Sequence, residues 1–259
     1  MKVLSLFDGI SCARVALGEC EYYASEIDKH AIKVAKKNYP STVHLGDVKE
    51  IGVIPNLDLL IGGSPCQDLS IAKKGREGLK GERSGLFYEY VRIWKLNKPK
   101  WFILENVASM PKEARDEITK EMGVSPIMIN ASLVSAQCRK RLFWTNIPVV
   151  GLPEDRKIML KDILESGEVD SRMTTKGKAF CLDASYYKGS SVEHSIKKKN
   201  RTQILGYKTI RKLTPTECER LQCLPDNYTE GISNTQRYKC LGNAFNVDVI
   251  RFILSFISK

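Results

Sequence analysis

Apolar residues in the first 147 positions fall into short blocks separated by amphipathic stretches. Residues 3–7, 22–27, 57–61 and 101–104 are apolar runs of strand length, and 127–129 and 142–144 are shorter candidates. Between them, residues 12–17, 29–39 and 86–96 read as helices, the second stopping before Pro40. Strands separated by helices predict a mostly parallel sheet covered on both faces, an α/β architecture. The pattern leaves the strand order open.

After Pro148 the pattern weakens. Pro153 and a polar run mark a linker, residues 161–164 suggest one helical turn, and the next stretch reads as loops and short strands. Periodicity returns at Thr214-Pro215-Thr216-Glu217, where a capping hydroxyl and a first-turn proline signal a helix start. Residues 245–257 form a final apolar helix.

Charge sharpens this picture. The net charge is +11, and residues 171–212 alone hold eleven Lys or Arg against Asp183 and Glu193, an excess of nine. A solvated surface is the bland reading. The length of the patch, its lack of helical periodicity and the run Lys197, Lys198, Lys199, Asn200, Arg201 favour phosphate contact.

Eight cysteines form no Cys-x-x-Cys pair, and the three histidines do not lie near them at zinc-ligand spacing. No metal is expected, and reduced thiols in a cytoplasm fit better than disulfides. Asp8 interrupts the first apolar run too early for a signal peptide, and charge breaks every long apolar run, so no membrane span is expected.

In a parallel sheet, ligands bind at the carboxyl ends of the strands. The first ends in Phe7-Asp8-Gly9 and the second in Ser25-Glu26-Ile27, where a carboxylate can accept both hydroxyls of a ribose. Gly46-Asp47-Val48 follows, and Asp47 could accept from an exocyclic amine. Singly, each acid would more often be a surface acid or a helix cap. Together, with no GxGxxG after the first strand, they suggest an adenosine cofactor without phosphates. The next end, Gly62-Gly63-Ser64-Pro65-Cys66-Gln67, puts a cysteine on a polar loop before a Gly-, Lys- and Arg-rich stretch, a setting for a nucleophilic thiol. Glu105, ending another strand, could hold a proton near it or simply cap a helix. Strand alternation would put Gln137, Arg139 and Arg141 on one face, a clamp for oxygens or a solvated basic strand.

Taken in order, FDGI (7–10), SEID (25–28), GDV (46–48), GGSPCQDLS (62–70), LENV (104–107), QCRKR (137–141), RKLTPTECERLQCLPDNY (211–228) and LGNAFNVDVI (241–250) span nearly the whole chain. The set resembles the carbon-5 cytosine-specific DNA methyltransferases of bacteria, phages and animals, and GGSPCQDLS is also similar to the catalytic domain of the animal de novo enzymes. The resemblance implies a Rossmann-like fold with a catalytic domain over 1–150, a small target-recognition lobe over 151–234, and residues 235–259 returning to the catalytic domain. It implies Cys66 as nucleophile, Glu105 as proton donor, Arg141 on the cytosine carbonyl and Arg139 in support. S-adenosylmethionine would contact Phe7, Asp8, Gly9, Glu26, Ile27, Asp47, Val48, Pro65, Asn243 and Ala244, leaving S-adenosylhomocysteine as product. Ala244 stands where many relatives carry Ser, so that contact would fall to the backbone. Duplex DNA, its target base flipped out, would meet Gln67, Ser70, Lys73, Lys74, Arg76, Lys197, Lys198, Lys199 and Arg201. A bacterial or phage enzyme, monomeric by default and linked to restriction–modification, fits the resemblance. A transfer-RNA methyltransferase on this scaffold, or a silent nucleic-acid-binding homologue, are the alternatives.

Overall fold

The computed structural model describes residues 1–65, 85–206 and 209–257. The first seven strands are β1 (Lys2–Leu6), β2 (Glu21–Ser25), β3 (Val43–Gly46), β4 (Leu59–Gly62), β5 (Trp101–Val107), β6 (Ile127–Asn130) and β7 (Lys140–Thr145). They form one sheet in the order β3-β2-β1-β4-β5-β7-β6. β1 to β5 pair in parallel, and β7 runs antiparallel to both β5 and β6. Every residue of β4 is buried, as apolar strands covered on both faces must be.

Helices α1 (Cys12–Leu17), α2 (Lys29–Asn38), α3 (Leu86–Asn97) and α4 (Lys112–Met122) connect the strands. On one face Leu4, Leu60 and Phe102 pack with Phe87 and Tyr90 of α3 and Ile118 of α4. On the other, Val3, Ile61 and Ile103 pack with Ala13 of α1 and with Val249, Ile250 and Ile253 of α8 (Val247–Leu254). The final helix therefore closes the sheet that the first strand began.

A second sheet of three short antiparallel strands joins β8 (Glu168–Val169), β9 (Gln203–Leu205) and β10 (Ile210–Lys212). With α6 (Pro215–Leu221) and α7 (Asn234–Asn243) it shares a core including Leu160, Ile204, Leu213, Leu221 and Leu241. The start read at Thr214 is a full capping box: Thr214 accepts from the Glu217 amide while the Glu217 carboxylate accepts from Thr214 N.

Several expectations need correction. α5 (Val192–Lys198) is a helix inside the basic region read as loops and strands. Ser191 caps its first turn, and a lone turn or two leaves too little apolar periodicity to register. α4 and β3 escaped the sequence reading for a similar reason: α4 buries only Ala114, Ile118 and Met122, and β3 is an edge strand with no fully buried residue. β7 begins at Lys140, so Gln137 and Arg139 precede the strand and strand alternation does not govern them.

Candidate active site

The strand ends fall in one row. Leu6 stands beside both Ser25 and Gly62, Gly62 stands beside Leu104, and Ser25 beside Gly46. The residues that follow them therefore leave the sheet along a single edge, where they line a cavity of about 300 Å³. Its wall includes Phe7, Asp8 and Gly9 after β1, Glu26 and Ile27 after β2, Asp47 and Val48 after β3, and Gly63 to Pro65 after β4. Glu105, Arg139 and Arg141 close one side, and Asn243, Ala244 and Phe245 complete the lining.

The β1–β3 end is built from backbone held by carboxylates. Glu26 Oε2 accepts from Gly9 N at 2.8 Å, and Oε1 accepts from the amides of Ile27 (2.8 Å) and Asp28 (2.9 Å). Gly9 has φ +60°, a conformation a side chain would strain. Asp47 caps a short 3₁₀ turn through Lys49 N, and the Arg92 guanidinium secures that turn by donating to the carbonyls of Val48 and Ile51. Ile27 leaves 74% of its surface open, an apolar platform beside two acids. Asp8, Glu26, Asp28 and Asp47 all line this cavity, and such a wall opposes phosphate groups. It suits a neutral nucleoside bearing a cationic sulfonium and ammonium, so the residues present fit S-adenosylmethionine.

The β5–β7 end carries the opposite chemistry. Glu105, 9% exposed, lies on β5, and Arg141 on neighbouring β7 places Nε 2.8 Å from its Oε1. The pair is diagonal across the two strands: Glu105 is registered with Phe143, and Arg141 with Val107. Asn106 turns back, its Nδ2 donating to Ser64 Oγ at 3.2 Å and to Ser64 O at 3.4 Å. That links β5 to the residues just before Cys66. A Cβ on Gly63 would sit 2.9 Å from the Phe245 ring and 3.0 Å from Glu105 Oε2, so a side chain there would displace the ring or the carboxylate.

Arg139 behaves differently from the clamp expected of it. It is 3% exposed, and its guanidinium is spent on backbone: Nη1 donates to Leu182 O (2.9 Å), Nη2 to Gly242 O (3.2 Å) and Ala244 O (2.8 Å). Burial, and then the neighbouring Arg141, pull its pKa below the usual arginine value. Arg139 thus straps the 181–182 segment and the end of α7 to the sheet. Gln137 turns away from the cavity and donates to Leu221 O at 2.7 Å.

Lys197, Lys198 and Lys199 are exposed at the end of α5. Arg201 is half-buried and donates internally to Gly189 O and to Ser185 Oγ. Cys66, Gln67, Ser70, Lys73, Lys74 and Arg76 lie outside the described residues. Among the described residues no cluster of His, Cys, Asp or Glu could hold a metal, and no helix is long and apolar enough to cross a membrane.

Sequence reading missed Phe245, Lys239, Cys240 and Cys181. Phe245 directly follows Ala244, so the LGNAFN motif held a usable signal for it. Cys240 also lines the cavity, and burial pushes its thiol up to about 12. Nothing local marks Cys181, whose sulfur lies 3.5 Å from Arg139 Nη1 and 4.0 Å from Arg141 Nη1.

Comparison with known proteins agrees with this geometry. The family model for C-5 cytosine-specific DNA methylases matches residues 1–148 and 155–259. The Type II methyltransferase M1.ScrFI of Lactococcus lactis subsp. cremoris is 32% identical over 308 aligned positions, covering 97% of this chain and 76% of the relative. M.NgoBV of Neisseria gonorrhoeae, also a Type II methyltransferase, is 36% identical over 61% of this chain and 40% of its own length. Among solved structures, the Entamoeba histolytica methyltransferase EhMeth superposes with a TM-score of 0.75 at 18% identity, covering 100% of this chain and 99% of the other. The chain belongs to the C-5 cytosine-specific DNA methylase family.

Proposed function

We propose that the protein transfers a methyl group from S-adenosylmethionine to carbon 5 of a cytosine flipped out of duplex DNA. The observation that carries this reading is the Glu105–Arg141 pair, 2.8 Å apart, facing an acidic nucleoside cradle across one cavity. Phe7, Asp8, Gly9, Glu26, Ile27, Asp47, Val48, Pro65, Asn243 and Ala244 would hold the cofactor. Bound there, it supplies an electrophilic methyl group.

Carbon 5 of cytosine is a poor nucleophile, so the ring must first be activated. The Cys66 thiolate forms a bond to carbon 6 while Glu105, as the acid, protonates N3. Electron density then accumulates at carbon 5, which takes the methyl group. Loss of the carbon-5 proton to a base, expulsion of the Cys66 thiolate and return of the N3 proton restore the aromatic ring. Arg141 Nε holds Glu105, and Arg141 would meet the cytosine carbonyl oxygen when the base enters. Arg139 acts at one remove, by fixing the backbone around Ala244. The base cannot reach a thiol while stacked, hence the flip. Residues 151–234 serve as the recognition lobe, with Lys197, Lys198 and Lys199 on phosphates.

Transfer of tritiated methyl groups to duplex DNA tests the reading. Wild type transfers label; Cys66→Ala transfers none; Glu105→Gln, which keeps the shape but cannot release a proton, loses about 100-fold or more. An oligonucleotide bearing 5-fluorocytosine, whose C–F bond blocks the last elimination, gives an adduct at Cys66 that survives denaturation. Label transfer by Cys66→Ala at the wild-type rate would overturn the covalent route.

A further inference from the structure

The loop joining β1 to α1 holds an unusual backbone. Phe7 (φ 55°), Gly9 (φ 60°) and Ser11 (φ 61°) are alternately left-handed, and two of the three carry a Cβ that disfavours this region. Ser11 is the N-cap of α1, yet its hydroxyl makes no capping bond to the helix. It donates instead to Asp8 Oδ2 at 2.6 Å. The other carboxylate oxygen, Oδ1, accepts from the Tyr22 hydroxyl at 2.6 Å. Asp8 lines the cavity; Ser11 and Tyr22 do not. Both are essentially inaccessible, Ser11 at 0% and Tyr22 at 1% exposed.

Tyr22 is itself immobilised from behind. The Arg14 guanidinium lies over its ring at 5.2 Å and over that of Tyr39 at 5.1 Å. Arg14 is 2% exposed and donates to Ser41 Oγ and Thr42 Oγ1. A buried cation sandwiched between two rings fixes where the Tyr22 hydroxyl can point.

We propose that Tyr22 and Ser11 are positioning residues for cofactor binding: through Asp8 they clasp the 7–11 loop in its left-handed shape without touching the cofactor themselves. The proposal rests on the cavity being the cofactor site. The loop backbone faces that cavity, and Glu26 is anchored to it through Gly9 N, so relaxation of Phe7 or Ser11 to ordinary φ values moves both walls of the ribose end.

The clasp depends on charge as well as shape. Asp8 is surrounded by Ser5 of β1, Ser11 before α1, Cys12 of α1, Tyr22 of β2, Glu26 after β2, and Tyr228. Burial raises its pKa, and the bonds from Ser11 and Tyr22 oppose that rise. Burial and Asp8 together push Tyr22 far above its usual value, so it remains a donor throughout the working range. Removing the Tyr22 hydroxyl takes away one opposing bond and lifts Asp8 further.

The test measures S-adenosylhomocysteine binding by calorimetry from pH 5 to 8.5, on wild type, Tyr22→Phe and Ser11→Ala, alongside hydrogen exchange of the 7–12 segment without ligand. Expected for Tyr22→Phe is a Kd about tenfold weaker at neutral pH, the scale of one charge-assisted hydrogen bond. The pH at which binding is half lost on acidification also moves upward, and the segment exchanges faster. Ser11→Ala gives the same direction and serves if Tyr22→Phe fails to fold. A folded variant with unchanged Kd, pH profile and exchange overturns the clasp while the cofactor reading stands. Failure of wild type to bind S-adenosylhomocysteine overturns the cofactor reading and, with it, the clasp's purpose.

Discussion

Asp8 sits where burial and hydrogen bonding pull in opposite directions, and burial wins: its pKa is raised from the ordinary carboxylate value of 3.8. The folded chain therefore binds that proton more tightly than the unfolded chain. Stability from this group is greatest below the unfolded pKa and is lost as pH rises through the folded one. Asp8→Asn removes the titration while keeping the shape. The stability difference between Asp8→Asn and wild type, read from urea midpoints between pH 3.5 and 7, should therefore shift in favour of the variant as pH rises. A difference that stays level across that range would mean Asp8 has the same proton affinity folded and unfolded. The acid was legible in the sequence as a strand-end carboxylate, but its partners were not: Tyr22 is fourteen positions away, and only the parallel register of β1 and β2 brings it close. Arg139 makes the same point from the other side. Two basic residues spaced by one read as a single clamp, yet the strand starts between them, so Arg141 reaches Glu105 and Arg139 reaches three backbone carbonyls.

At the scale of elements, the decisive contact is between α7 and the segment at 183–184. A Cβ on Gly242 would lie 2.2 Å from the Asp183 carbonyl carbon and 2.3 Å from Ala184 N, both backbone atoms that cannot swing aside. Gly242→Ala therefore forces α7 away and stretches the bonds from Arg139 to Gly242 O and Ala244 O. The expected loss is about 1–3 kcal/mol of stability, the usual range for overpacking, or more if the strap breaks. Urea unfolding measures it, and a loss below about 0.5 kcal/mol would show that α7 can slide freely. Strongly periodic or apolar elements such as β1, α1, β4, β5 and α8 were readable because burial on the sheet demands their pattern. α4 was not, since an outer helix needs only a narrow apolar stripe, here Ala114, Ile118 and Met122, among eight polar neighbours. The site followed the same division. Positions at strand ends could be found from the period alone, whereas Cys181 and Lys239 arrive from segments far along the chain.

For the molecule as a whole, the excess of positive charge matters through where it can meet phosphate. Of the +11 net charge, nine lie in residues 171–212, but the structure divides that count. Arg172 pairs with Asp170, Arg211 with Glu217, and Lys178 is buried against the carbonyls of Ser132, Ser135 and Ile158. Arg201 is also committed internally. Lys197, Lys198 and Lys199 are exposed as one cluster at the end of α5, and Lys199 closes that helix in a left-handed conformation. If each neutralises one phosphate, the plot of log affinity for duplex DNA against log salt becomes shallower by about 2.7 when all three are changed to Ala, roughly 0.9 per contact. Their removal should leave S-adenosylhomocysteine affinity unchanged, because none of them lines the cavity. Arg201→Ala makes the contrasting case: it breaks bonds to Gly189 and Ser185, so it should lower the unfolding midpoint with little effect on the salt slope. Fluorescence anisotropy with a labelled duplex between 50 and 300 mM salt separates the two. An unchanged slope in the triple variant would remove α5 from the DNA-facing surface and shift the contact to other basic segments.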